Sequence, residues 1–104
     1  MLATLNEVKS RVKACCPEEI LVSDYCVLRS VFRNADLDLV KRNLIEREDG
    51  FWEFSSHKGL KGKRVIIYFQ VSRNKVHKYV LEVNSVIYLI NVIIIEGKKQ
   101  KGFV

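Results

Sequence analysis

Proline occurs once in this chain of 104 residues, glycine five times, and no stretch is dominated by a few residue types. Disorder and fibrous repeats are thereby excluded, since a 48% hydrophobic content is enough for a packed core. Cysteine is scarce: Cys15 and Cys16 are adjacent, Cys26 follows ten positions later, and no second CxxC or histidine pair accompanies them. Such an odd set builds neither a disulfide framework nor a zinc site. Reduced, largely buried thiols in a cytosolic protein are expected, with a redox pair of Cys26 and Cys15 or Cys16 as the alternative.

Long hydrophobic runs are missing too. The longest, Val86 to Ile95, is broken by Asn91 and falls well short of the roughly 18 residues that a spanning helix needs. It reads as a buried central strand. The opening MLATLNEVKSRVK carries charges in its first turns, so neither a signal peptide nor a membrane anchor is expected, and the expected location is cytoplasmic. HExxH, GxSxG and GxxxxGK are absent, no carboxylate triplet suits Mg²⁺ or Ca²⁺, and histidine occurs only at His57 and His77. No metal or other cofactor is implied.

What is present is one domain's worth of chain, residues 1–104, with a lopsided charge. Residues 1–55 carry eight Lys and Arg against ten Asp and Glu, a net of −2, while residues 56–104 carry ten against two, a net of +8. A basic segment of this kind favours a polyanionic partner such as nucleic acid. Its cations include Lys58, Lys61 and Lys63 around two glycines, and Lys98, Lys99 and Lys101 in the basic tail 97–104.

Leu5, Val8, Val12 and Cys15 follow helical spacing, and Pro17 ends that first helix, within 1–16, near residue 15. Ile20 to Val22 reads as a short extended link. Ser23 can cap a helix from Asp24 to about Arg33, and Asp36 a third whose apolar face is Leu37, Val40 and Leu44. In the second helix the spacing sends Val27, Leu28, Val31 and Phe32 to the core and leaves Tyr25, Cys26, Arg29 and Arg33 on the opposite side. Arg29 could then serve an anion or pair with Glu46, Glu48 or Asp49. A helix-turn-helix over residues 24–46 is disfavoured, because Asp36-Leu37-Asp38 puts acid where phosphate would lie.

After Asp49-Gly50 the helical spacing stops. Four strand-like runs follow: Phe51 to Phe54, Arg64 to Val71, Lys75 to Val83 and Val86 to Ile95. Short connections at 72–74 and 84–85 imply antiparallel hairpins. The expected fold is α+β, with N-terminal helices packed on one face of a four-stranded antiparallel sheet. Val65, Ile67, Phe69 and Val71 share one face with period two, leaving Arg64, Ile66, Tyr68 and Gln70 on the other. Likewise His77, Tyr79, Leu81 and Val83 alternate with Val76, Lys78, Val80 and Glu82. A mixed aromatic and basic surface is expected from these two strands.

Leu21 to Val40, LVSDYCVLRSVFRNADLDLV, resembles the opening of a toxin-like domain family in the RelE/ParE superfamily, related to BrnT-type toxins. That family reads as a hydrophobic, Ser, x, His-Ala lead-in, an Arg, a second Arg four residues later, a short turn, and a Val-containing helix opening on an acidic or hydroxyl residue. Ser23, Cys26, Arg29, Arg33, Asp36 and Val40 fall at matching positions, whereas Tyr25 stands where the family commonly has histidine. The likeness covers residues 20–96.

The resemblance implies three or four antiparallel strands against N-terminal helices, and often metal-independent RNA cleavage by a toxin paired with an antitoxin. It implies that Arg29, Arg33, Arg64, Lys98 and Lys99 hold phosphates, with Lys58, Lys78 and Lys101 beside them, while His77, Tyr68 or Tyr25 sits near the scissile bond. In such chemistry the RNA 2′-hydroxyl attacks and a histidine moves protons near neutral pH. The partners to expect are RNA or the ribosome and a small acidic antitoxin. The alternative is a non-catalytic domain that binds nucleic acid or protein.

Overall fold

The computed structural model describes residues 4–55 and 63–96. Thr4 opens helix α1 (Leu5–Lys13) with a reciprocal cap: its hydroxyl accepts from the Glu7 amide at 3.1 Å, and its own amide donates to the Glu7 carboxylate at 2.9 Å. Two donors that a helix start leaves free are thus satisfied. Val8 and Val12 are fully buried, and Pro17, following the end of α1, starts a 3-10 turn, Pro17–Glu19. Strand β1 (Ile20–Val22) comes next. Ser23 caps helix α2 (Asp24–Arg33) by accepting from the Cys26 amide, and Asn34, at φ 54°, ends it in the left-handed conformation that asparagine tolerates. Asp36 accepts from the Asp38 and Leu39 amides to open helix α3 (Leu37–Glu46).

The second half is a meander of β2 (Phe51–Phe54), β3 (Lys63–Ser72), β4 (Lys75–Val83) and β5 (Ile87–Glu96). Spatial order is β1-β5-β4-β3-β2, with every neighbouring pair antiparallel except β1 and β5. Among the described residues the sheet is therefore five-stranded and mixed, not four-stranded and antiparallel: Ile20 to Val22 is no mere link but a parallel edge strand with Ile20 opposite Ile87. Three residues are too few to show a period, which is why the segment carries no strand signal of its own.

The core lies between one sheet face and the helices. Val65, Ile67, Phe69, Tyr79, Leu81, Ile87 and Leu89 meet Val8, Val12, Val40 and Leu44 there. Gly50 makes the α3-to-β2 turn possible, because a Cβ at that point would stand 2.6 Å from the Phe69 ring. Among the described residues no helix is long and apolar enough to cross a membrane.

Helix α2 departs from expectation. Cys26 and Ser30 are its buried residues, whereas Val27, Leu28, Val31 and Phe32 are 45%, 57%, 74% and 77% exposed. The helix is turned about half a revolution from the orientation that its apolar stripe predicts. The reason lies in β5, which β1 accompanies only from Ile87 to Leu89. Beyond that point α2 lies along the free strand edge: Ser23 Oγ donates to the Ile90 carbonyl at 3.2 Å, and Arg33 Nη1 donates to the Val92 carbonyl at 2.5 Å and to Asn91 Oδ1 at 3.1 Å. Unpaired edge carbonyls need donors, and the polar side of α2 supplies them. Small residues at 26 and 30 let the helix come close.

Candidate functional site

Two chemically distinct surfaces flank the sheet. On the face away from α1 and α3, cross-strand pairing sets side chains in rows. One row runs Phe51, Tyr68, Lys78, Ile93; the next runs Glu53, Ile66, Val80, Asn91; the third runs Arg64, Glu82, Tyr88. Phe51 is 64% exposed, and its ring centroid is 6.2 Å from that of Tyr68. Lys78 Nζ stands 5.8 Å from the Tyr68 ring centroid, on the opposite flank of the row. The Tyr68 hydroxyl donates to Glu53 Oε2 at 3.2 Å, and burial followed by the nearby carboxylate pushes it above the ordinary phenol range. Arg64 forms an ion pair with the buried Glu82, so its charge is largely engaged within the fold.

His77 belongs to the other face. Tyr68 lies opposite Lys78 and Phe69 opposite His77, which puts Tyr68 and His77 on different sides of the sheet. His77 Nδ1 is 2.8 Å from the Tyr79 hydroxyl, which also accepts from Asn43 Nδ2 at 3.0 Å. The hydroxyl has one proton and two lone pairs, so it can donate to Nδ1 or accept from it, and the imidazole tautomer decides which. Burial first, then the charges of Lys75 and Arg47, hold His77 below its ordinary pKa of 6.5, which favours the neutral imidazole. Arg47 is itself held by Asp49 and by the Gln70 carbonyl.

The third predicted catalytic residue, Tyr25, stands on α2 with Arg29 Cζ 5.9 Å from its ring centroid. Among the described residues Arg29 forms no ion pair with Glu46, Glu48 or Asp49; Glu48 is near Lys13 and Asp49 holds Arg47. Tyr25, Tyr68 and His77 thus occupy three surfaces, and the structure does not bring them together. Of the phosphate-binding candidates, Lys78 sits in the aromatic row, Arg33 is committed to the β5 edge, and Lys58, Lys98, Lys99 and Lys101 lie outside the described residues. Those four and Lys61 account for most of the net charge: without them thirteen Lys and Arg face twelve Asp and Glu.

Phe51 is the residue that sequence reasoning missed. Its alternation with Trp52, which is buried, was the available signal for an outward ring. Comparison of the chain with protein-family models, with curated proteins and with solved structures returns no match. The chain's own geometry is therefore what bears on function.

Proposed function

We propose that the chain binds single-stranded RNA on the sheet face turned away from α1 and α3, with Phe51, Tyr68 and Lys78 as the anchoring row. The observation that carries this reading is a sheet face free of α1 and α3 on which two adjacent aromatic rings meet a cation. Unstacked bases lie against such rings without regard to sequence, each stack contributing about 1 to 3 kcal/mol, and a flanking lysine meets the phosphate between them. The five lysines in 56–62 and 97–104 would add sequence-independent attraction.

The separation of His77, Tyr68 and Tyr25 supports binding over cleavage. If the RelE/ParE resemblance extends to the way the protein works, this chain would act by occupying RNA. Fluorescence anisotropy with a short labelled oligouridylate tests the reading. Phe51→Ala and Tyr68→Ala should each weaken binding by about 5- to 150-fold, the equivalent of one lost stack. Phe51 is exposed, so its truncation should leave the melting curve in place. Unchanged affinity in both variants would remove the sheet face from the site.

A further inference from the structure

Helix α2 spends its polar side on the β5 edge and turns Tyr25, Val27, Leu28, Val31 and Phe32 outward. Side chains of this size present an apolar patch on the order of several hundred Å², the scale that marks interaction sites. The patch runs into an open groove of about 410 Å³ between α2 and the start of α3, where Val27, Val31, Ala35 and Leu37 form the apolar lining and, among the described residues, Asp36 and Asp38 are the charged ones. Asp24, also exposed, stands on the same side of α2 as Val31. None of these three aspartates takes part in an ion pair among the described residues. Arg29 lies over the Tyr25 ring, its Cζ 5.9 Å from the ring centroid.

We infer that α2 and the α2–α3 groove form a docking site for a cationic amphipathic helix of a partner protein. Apolar residues at i, i+3 and i+4 of such a helix would fill the groove, and its flanking lysines or arginines would meet Asp24, Asp36 and Asp38. Charge complementarity selects the sign of the partner: Asp24, Asp36 and Asp38 border the patch in the half of the chain that carries a net charge of −2, which favours a cationic helix there. The site shares no residue with the aromatic row on the sheet and stands independently of it.

The test uses two synthetic helical peptides, one of leucine and lysine in amphipathic order and one with glutamate replacing every lysine, titrated into the full chain by calorimetry. The leucine–lysine peptide should bind saturably at one per chain and at least tenfold tighter than its glutamate counterpart. Val31→Ser with Phe32→Ser should lower that affinity at least tenfold without shifting the melting curve, since both side chains are exposed. Asp24→Asn with Asp38→Asn should weaken binding and flatten its salt dependence. Equal or tighter binding of the glutamate peptide would overturn the inference. So would binding that survives the Val31 and Phe32 changes, or a dimer that Phe32→Ser converts to monomer in a chain that takes up neither peptide.

Discussion

Arg33 reaches across from the last turn of α2 to the Val92 carbonyl and the Asn91 side chain, closing the edge of β5 that β1 leaves open. The two arginines four apart in α2 therefore have different duties. Arg33 holds the helix to the sheet, and Arg29 lies over Tyr25.

A urea melt should separate them. Arg33→Ala removes charged hydrogen bonds from a half-buried carbonyl and is expected to cost about 1.5 to 3 kcal/mol. Arg29→Ala, lacking an acidic partner, should cost less than about 1 kcal/mol. Equal losses would mean that Arg33 does not secure the edge.

RNA affinity should fall steeply with salt. Each lysine that neutralises a phosphate contributes about 0.7 to the slope of log K against log salt for a single strand. Replacing Lys98, Lys99 and Lys101 together by alanine is expected to flatten the slope by about 2 if all three touch phosphate. An unchanged slope would exclude the tail, while Lys78→Ala reports separately on the sheet face.

The buried His77, Tyr79 and Asn43 set should shape stability against pH. His77 is held below its ordinary 6.5, so the unfolded chain takes up a proton that the folded chain resists. Stability from this source is complete above about pH 6.5 and is lost as pH falls from there, with a slope of up to about 1.4 kcal/mol per unit. Tyr79 acts in the other direction: burial raises its pKa above 10, and its contribution is lost as pH rises past the unfolded value. Urea melts between pH 5 and 8 on the native chain and on His77→Asn isolate the histidine, because the variant should lack that acid slope.

The thiols should divide one against two. Cys16 is exposed, which corrects the expectation that the cysteines are largely buried as a group, while Cys15 and Cys26 are buried and burial raises both pKa values. A disulfide reagent is expected to titrate one thiol per folded chain quickly and the other two only on unfolding. Fast reaction of three would contradict the packing of α2 against the core.

Elements whose burial follows their own pattern were readable in advance. Val8 and Val12 in α1, Val40 and Leu44 in α3, and Val65, Ile67 and Phe69 in β3 point inward as spacing requires, whereas β4, with polar and apolar residues on both faces, left its inward side open. The short links at 72–74 and 84–85 specified the hairpins. Helix α2 was misread because periodicity identifies an apolar stripe but not what covers it, and the need for donors at Ile90 and Val92 exists only once β5 is an edge. The aromatic row was only half legible for a similar reason. Tyr68 and Lys78 are set opposite by a tight hairpin, whereas the pairing of Phe51 with Tyr68 spans residues 55–62, for which no turn rule fixes register.

The pairing of Ile20 with Ile87 also has a kinetic side. Hairpins β3–β4 and β4–β5 close short loops, whereas β1 must be carried back across most of the chain, and closure entropy grows with the logarithm of the length enclosed. Strands β2 to β5 can zip from neighbour to neighbour, leaving β1, with α2 attached to it, to arrive after the rate-limiting barrier. Arg33→Ala should then leave the folding limb of a chevron nearly unmoved and raise the unfolding limb, because a contact made late is the first released. The strand that finishes the sheet is also the place where it begins to come apart.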